Sequence, residues 1–139
     1  MEFIHLTENN ARKYIGKQII FKLKEKPYIY KLCNIIGNHL VIETEEKENF
    51  LLSIKHPTFV IVYNNFSVNS FHYSMIFLKA FPNNITSYIG NYVLIKNNNK
   101  LCSIQKIKTV SKSKYYISLN DVMNKDNIDI RNTPCYVIV

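Results

Sequence analysis

The sequence predicts a mostly β protein built from two tandem small barrels, and three observations support this fold class. The stretch Asn-Asn-Ala-Arg-Lys-Tyr-Ile-Gly at 9–16 returns as Asn-Asn-Ile-Thr-Ser-Tyr-Ile-Gly at 83–90, at a constant offset of 74 residues (83 − 9 and 90 − 16). β-Branched and aromatic residues are abundant and the chain has only 3 glycines, which favours strands. Short segments of alternating apolar and polar residues follow each copy of the stretch.

Five short strands and a helical turn in about 60 residues suit an SH3-like barrel, with an OB-like barrel as the alternative. We favour the SH3-like barrel because the loops are short and no long helix is available to close one end of an OB-like barrel. The repeat therefore predicts a first barrel at 1–62, an aromatic linker or added strand at 63–74, and a second barrel at 75–139, related by an internal duplication.

A short helical turn precedes the first long strand of each barrel. In the first copy Thr7 is placed to cap the turn and Gly16 to end it. The segment 1–6 before it returns as 75–80, so we expect this segment to belong to the barrel as an edge strand. In the second copy Pro82 takes a first-turn position, where its missing N–H is tolerated.

The strand after each helical turn has a period of two. Ile19, Phe21 and Leu23 share one face of the predicted strand, and Gln18, Lys22 and Lys24 lie on the other. Val93 and Ile95 match Ile19 and Phe21 in the second copy. Further segments align in pairs: Leu32–Ile35 with Leu101–Ile104, Leu40–Ile42 with Tyr115–Ile117, Leu52–Lys55 with Ile128–Arg131, and Pro57–Val62 with Pro134–Val139. The pairing predicts the same strand order in both barrels.

The charge of the chain favours a polyanionic partner, either nucleic acid or an acidic protein surface. The formal charge is +8, and residues 75–139 carry nine basic and three acidic side chains, against nine and seven in 1–62. Lysines could contact phosphates, and tyrosines could stack on the bases of a single strand. The candidate contacts are Lys22, Lys24, Lys26, Lys31, Lys96, Lys100, Lys106, Lys108, Lys112, Lys114 and Tyr115. Lysine-rich hairpins are also common as solvated sheet edges.

A structural role is the alternative function. The segment 63–74 is rich in Asn and Ser but also carries Tyr63, Phe66, Phe71 and Tyr73. These aromatic residues are too many for a flexible tether, so we expect them to pack along a barrel or to contact another protein. The protein would then belong to a large assembly, for example as a minor virion or capsid component that docks on neighbouring subunits.

The sequence lacks a catalytic or metal-binding pattern. Its 3 cysteines cannot all pair, and the alignment makes Cys33 and Cys102 equivalent core thiols. None of the 4 histidines recurs in the second copy, and no ligand pair has zinc-like spacing. The glutamates at 43–48 lack the pattern of a calcium loop, and no glycine-rich phosphate loop occurs. We therefore expect a non-enzymatic protein without a metal or cofactor.

An aromatic cage for a cationic group is a further, weaker hypothesis. Such a cage needs several exposed aromatic rings that converge at one end of a barrel. Tyr28, Tyr30, Tyr115 and Tyr116 are the candidate members. The sequence alone does not bring them together, because convergence depends on the three-dimensional structure.

The cellular location follows from what the sequence lacks. There is no cationic start followed by an apolar run of signal-peptide length, and no apolar run is long enough to span a bilayer. Unpaired cysteines favour a reducing compartment. We expect a soluble intracellular protein without membrane insertion.

The segment Leu-Thr-Glu-Asn-Asn-Ala-Arg-Lys-Tyr-Ile-Gly-Lys at 6–17 also carries a resemblance. It is similar to the opening of short, functionally unassigned proteins of large DNA viruses, which have a comparable Leu-Thr, Glu-Asn-Ala and Lys-Tyr-Ile-Gly-Lys pattern. The abundance of Asn, Ile and Lys fits an AT-rich genome. The resemblance implies a viral origin, with the protein in the host cytoplasm or nucleus or in the virion, and it implies no particular activity.

Overall fold

The computed structural model describes residues 2–62, 75–96, 101–119 and 127–139, together with the backbone of 70–72. These residues are mostly β, as the sequence predicts, and the chain divides into two compact units, Met1–Ser67 and Val68–Val139. The first unit contains β1 (Glu2–His5), a 3₁₀ helix (Ala11–Tyr14), β2 (Gln18–Leu23), β3 (Lys26–Ile36), β4 (His39–Glu43), β5 (Asn49–Ser53) and β6 (Thr58–Val62).

The second unit has the same succession of elements, with one strand added at its start. It contains β7 (Ser70–His72), β8 (Met75–Lys79), a 3₁₀ helix (Ile85–Tyr88), β9 (Tyr92–Lys96), β10 (Cys102–Val110), β11 (Tyr116–Leu119), β12 (Ile128–Asp129) and β13 (Cys135–Ile138). The strand β7 pairs with β8, at the end of the segment predicted to be a linker or an added strand.

Each unit forms one antiparallel sheet, and the strand order is shared. The first sheet has the order β1-β6-β2-β3-β4-β5, and the second has β7-β8-β13-β9-β10-β11-β12. Apart from β7, each strand therefore has the same neighbours as its counterpart in the other unit. The edge strand β1 pairs only with β6 within the described residues, at the edge position expected for 1–6.

The prediction of closed barrels is wrong, because neither sheet closes among the strands that the structure describes. In the described residues of the first unit no hydrogen bonds join the two edge strands β1 and β5. The sheet nevertheless curls strongly. The strands β2 and β5 are separated by two others, which in a flat sheet would place them about 14 Å apart, but the rings of Phe21 and Phe50 have centroids 6.0 Å apart.

The repeated Asn-Asn and Tyr-Ile-Gly stretch forms the same turn in both units. The side-chain oxygen of Asn10 accepts a hydrogen bond from the Thr7 amide at 2.8 Å, and its amide nitrogen donates to the His5 carbonyl at 3.0 Å. Asn84 makes the same two contacts in the second unit, at 2.9 and 3.1 Å. The first helix has no side-chain cap, so the prediction that Thr7 caps it is wrong; the second asparagine of each pair shapes the turn instead.

The glycine that ends each turn is required for its backbone angle. Gly16 has φ +93° and Gly90 has φ +90°, and a Cβ atom at either position would meet no atom within 4 Å. Space is therefore available, and it is the positive φ that disfavours other residues here. Each glycine amide donates to the middle of the long strand of its unit, to Leu32 and Ile107 respectively.

These hydrogen bonds give the first of two corrections to the segment pairings made from the sequence. Gly16 donates to Leu32 and Gly90 donates to Ile107, so Ile107 is the counterpart of Leu32 and Lys108 follows it where Cys33 follows Leu32. The register of each long strand shifts at this same point, between Leu32 and Asn34 and between Ile107 and Thr109. Cys33 and Cys102 are therefore not equivalent.

The second correction concerns β4 and β11. Leu40 lies opposite Ile35, and Ile117 lies opposite Val110 at the corresponding place in the second sheet. Ile117 is thus the counterpart of Leu40, whereas the sequence pairing had assigned Tyr115 to it. The pairing of Pro57–Val62 with Pro134–Val139 agrees with the register of β6 and β13 on β2 and β9.

Each unit has a cluster of buried apolar side chains that come mostly from one face of its sheet. In the first unit the buried cluster comprises Leu6, Ala11, Ile19, Phe21, Leu32, Ile35, Leu40, Ile42, Leu52, Ile54 and Val60. In the second it comprises Ala80, Ile85, Val93, Ile95, Ile107, Ile117, Leu119, Ile130, Cys135 and Val137. Among the described residues, no helix has the length and apolar character needed to cross a membrane.

Candidate nucleic-acid interface

The turn between β10 and β11 is a hairpin tip with a well-defined backbone. The Ser111 amide donates to the Tyr116 carbonyl at 2.9 Å, and the Lys114 amide donates to the Ser111 carbonyl at 3.0 Å. The side-chain oxygens of Ser111 and Ser113 lie 3.0 Å apart, within hydrogen-bond distance. Lys114 has φ +64°. The tip therefore holds Lys112 and Lys114 at the surface, where both are exposed.

Arg131 lies against the two tyrosines that follow this tip. Its guanidinium carbon is 4.2 Å from the centroid of the Tyr115 ring and 5.6 Å from that of Tyr116. One guanidinium nitrogen also donates to the Tyr116 hydroxyl at 3.2 Å. The amide of Ile130 donates to the Tyr115 carbonyl at 2.9 Å, which fixes the segment after β12 beside the tip. We call Lys112, Lys114, Tyr115, Tyr116 and Arg131 the hairpin cluster.

Asp129 orients the guanidinium of Arg131. Two guanidinium nitrogens donate to the two carboxylate oxygens, at 3.0 and 2.9 Å, which is the bidentate geometry of a strong ion pair. The hydrogen bond from Arg131 lowers the pKa of the Asp129 carboxyl, and the same contact raises the pKa of Arg131. The hairpin cluster has three cations, Lys112, Lys114 and Arg131, and Asp129 adds one negative charge. The net charge of this surface is therefore positive.

Both tyrosines of the hairpin cluster present ring surface to solvent. Tyr115 is 37% exposed and Tyr116 is 38% exposed. An arginine stacked on an exposed aromatic ring, with lysines beside it, can take a base on the ring and a phosphate on the cations. The cluster thus combines the two contact types that binding of a single strand uses.

The other candidate lysines of the second unit lie elsewhere. Lys96 lies opposite Cys102, at the far end of β10 from the hairpin tip, so about 25 Å of strand separates it from the tip. The ammonium of Lys106 lies 5.2 Å from the centroid of the Tyr92 ring, which is also its cross-strand partner. Lys108 is exposed at the register shift of β10.

The candidate lysines of the first unit are distributed along the β2–β3 hairpin. Lys24 lies in its turn with φ +52°, and the ammonium of Lys26 is 5.3 Å from the centroid of the Tyr28 ring. Lys22 lies opposite Pro27, and Lys31 lies between Gln18 and Glu43 in the sheet. They are spread along the hairpin and form no counterpart of the hairpin cluster.

Several candidate residues fall outside the described part of the chain. These are Lys100, Tyr63, Phe66 and Tyr73. Phe71 belongs to β7, of which only the backbone is described. The protein-interaction hypothesis for the segment 63–74 therefore stays a prediction.

Sequence reasoning missed Arg131 and Asp129. The sequence pairing places both residues in a strand and does not connect Arg131 with Tyr116, 15 residues earlier. One signal was available, because two residues separated by one position point to the same side of a strand and can pair if their charges are opposite. The contact with the tyrosines depends on how β11 and β12 pair, which the sequence does not show.

Neither Cys33 nor Cys135 lies in an environment that activates its thiol. Burial raises the pKa of the Cys135 thiol to about 12. Burial and a hydrogen bond to Glu43 raise the pKa of the Cys33 thiol, whose sulfur lies 3.4 Å from that carboxylate. A nucleophilic cysteine needs a lowered pKa. Within the described ranges no three His, Cys, Asp or Glu side chains are grouped so as to hold a metal ion.

Comparisons of the chain with protein-family models, with curated proteins and with solved structures found no match.

Proposed function

We propose that the protein is a non-enzymatic binding module that contacts single-stranded nucleic acid through the hairpin cluster of its second unit. The observation that carries this proposal is the stack of the Arg131 guanidinium on Tyr115, at 4.2 Å, beside an exposed Tyr116. The pair of tyrosines supplies ring surface for bases, and Lys112 and Lys114 supply charge for phosphates.

The ion pair with Asp129 supports this role because it holds the Arg131 guanidinium in place before a ligand binds. A flexible arginine loses rotamer freedom when it binds, which opposes association. Here the carboxylate and the two rings already fix the guanidinium. Asp129 also neutralises one charge, so phosphate attraction rests mainly on the lysines of the tip.

A salt titration tests the proposal. The full chain is titrated into a fluorescein-labelled oligothymidine, and into a duplex of equal length, while anisotropy is followed at several salt concentrations. We expect tighter binding of the single strand and a steep loss of affinity as salt rises, because phosphate contacts release counterions. Absent binding, or binding that does not change with salt, would contradict the proposal.

A structural role in a large assembly is the second candidate, favoured by the open edge of the first sheet. β5 pairs only with β4 among the described strands, and its Leu51 is 59% exposed. The register of β4 places the 60% exposed Ile36 on the same face. An open edge with apolar residues can pair with a strand of a neighbouring subunit. Purification from the native source tests this role, which requires co-purification with an assembly, and recovery of a free monomer alone would contradict it.

We further infer that the two units arose by internal duplication of an SH3-like module whose sheet remains open. The shared strand order and the repeated contacts of Asn10 and Asn84 support this origin. With the sequence resemblance to short viral proteins, it makes a protein of a large DNA virus our preferred source.

A further inference from the structure

The first unit has an aromatic cluster that extends from its core to its surface. Phe21 is fully buried, and its ring centroid lies 6.1 Å from that of Tyr28 and 6.0 Å from that of Phe50. Tyr30 stacks on Tyr28 at 5.9 Å and meets Phe50 edge-on at 6.1 Å. The two tyrosines and Phe50 are half-buried. These four residues and His56, whose ring lies 6.4 Å from Phe21, form what we call the aromatic cluster.

The fold does not require these aromatic residues. In the register of the second sheet, Ile95 lies opposite Ser103 where Phe21 lies opposite Tyr28 in the first. Gln105 likewise takes the place of Tyr30, across from Val93. A sheet of the same strand order thus forms with an aliphatic and two polar residues at these positions. Among the described residues, only the first unit has such an aromatic cluster.

Negative charge lies beside the aromatic cluster. The turn between β4 and β5, which leads directly into Phe50, carries Glu45 and Glu46 at the surface. Neither glutamate has an ion-pair partner among the described residues, whereas Glu43 pairs with Lys47 at 3.3 Å. Burial raises the pKa of the Tyr30 phenol, and the charges of Glu46 and Glu45 contribute to the increase. The negative charges of both carboxylates therefore disfavour the ionised form of that phenol.

The rings of the aromatic cluster are able to accept a cation. The ammonium of Lys26 already lies 5.3 Å from the centroid of the Tyr28 ring, within the usual range of a cation–π contact. The His56 ring is fixed by a 2.7 Å hydrogen bond to the Lys22 carbonyl, which makes that ring nitrogen the donor.

We propose that the aromatic cluster and the Glu45–Glu46 turn together bind a cationic side chain, an ammonium or guanidinium group, on a basic segment of a partner protein. Aromatic faces bind such groups through the negative charge of the ring face, and nearby carboxylates strengthen the attraction. A divalent metal ion fits less well, since the described side chains offer no group of three ligands.

The decisive experiment tests whether the site recognises the charge of the bound side chain or only its shape. Short acetylated peptides with one central side chain are titrated into the full chain, and binding is followed by calorimetry and by the aromatic NMR signals of Tyr28 and Tyr30. The central side chain is lysine, trimethyllysine, arginine, or a neutral analogue of trimethyllysine in which carbon replaces the nitrogen. We expect at least one cationic peptide to bind about tenfold more tightly than the neutral analogue.

Two variants and a matched control localise the site. Tyr30→Leu should weaken binding of the cationic peptide by about tenfold, because it removes a central ring of the cluster. The pair Glu45→Gln and Glu46→Gln should weaken it several-fold, and both residues are exposed, so folding is preserved. Glu8→Gln alters another exposed acidic residue of the same unit and should leave the affinity unchanged.

The results that would overturn the proposal are equally direct. Equal affinity for the neutral analogue would show that shape alone is recognised. Failure of all three cationic peptides to bind would also refute it, as would an affinity unchanged in the double glutamate variant. The order of lysine, trimethyllysine and arginine then identifies the preferred cation.

Discussion

The two units have sheets of the same strand order, but they differ in the side chains that could bind a ligand. Beside the β10–β11 tip the second unit has Tyr115, Tyr116 and Arg131 in contact. At the corresponding places, given by the matched amide bonds of Ile54 and Ile130, the first unit has Asn38, His39 and Lys55. The first unit instead has Tyr28 and Tyr30, where the second has Ser103 and Gln105.

The features that occur in both units belong to the scaffold of the fold. The turn built on Asn10 and Asn84, the glycines with positive φ and the core strands occur in both units. The aromatic cluster and the hairpin cluster each occur in one unit only among the described residues. Shared residues are therefore explained by folding, and both proposed binding sites consist of residues that differ between the units. The Glu45–Glu46 turn beside the aromatic cluster and the cations of the hairpin cluster suit two different proposed ligands, a cation in the first unit and a polyanion in the second.

The largest expected effect tests the equivalence of Leu32 and Ile107. Leu32→Ala and Ile107→Ala should each lower the free energy of unfolding by about 2–5 kcal/mol, since both side chains are buried in a core. Leu101→Ala is the control, because sequence pairing had matched Leu101 to Leu32 but the structure shows it 52% exposed. Chemical denaturation measures all three, and a large loss at Leu101 would restore the sequence pairing.

The next effect concerns base stacking on the hairpin cluster. The double change Tyr115→Ala and Tyr116→Ala should weaken binding of the oligothymidine by about 1–3 kcal/mol per stacked base. His39→Ala, at the position of Tyr116 in the first unit, should leave affinity unchanged. Anisotropy titration at one fixed salt concentration provides the measurement. If both variants behave like the unaltered chain, bases do not stack on these tyrosines.

A smaller effect is expected for the lysines of the tip. Lys112→Gln with Lys114→Gln should reduce the slope of log affinity against log salt by about 1.4, that is about 0.7 for each lost phosphate contact on a single strand. Lys13→Gln with Lys17→Gln, two exposed lysines of the first unit, serves as the matched control. An identical slope in both double variants would show that the tip does not contact phosphates.

The smallest effect is the pH dependence of the Asp129–Arg131 pair. The arginine lowers the pKa of the Asp129 carboxyl below its ordinary value of 3.8, so the pair stabilises the fold fully above that value. This contribution is lost as the pH falls through the lowered pKa. The unaltered chain should be more stable than Asp129→Asn at neutral pH, and the difference should shrink in acid. Thermal unfolding from pH 7 to pH 2 tests this, and a difference that grows in acid would contradict it.

The sequence was sufficient where local chemistry decides the structure. The period of two around Ile19 and Phe21 identified a strand with its apolar face in the core, and Gly16 and Gly90 marked the ends of the two turns. Lys112 and Lys114 are neighbours of Tyr115 in the chain and lie with it at the exposed hairpin tip. Lys96 on β9 and Lys106 on β10 lie away from that tip, because the strands place them further along the sheet.

By itself the sequence determined the mostly β class, the repeat of a turn and strand, and the charge difference between the two halves. These properties depend on residue type and on contacts between near neighbours in the chain. Only the tertiary structure decided that the sheets stay open, that Ile107 and not Leu101 matches Leu32, and that Arg131 stacks on Tyr115. Each of these depends on strand register and sheet curl, which bring together residues distant in sequence and leave no local pattern.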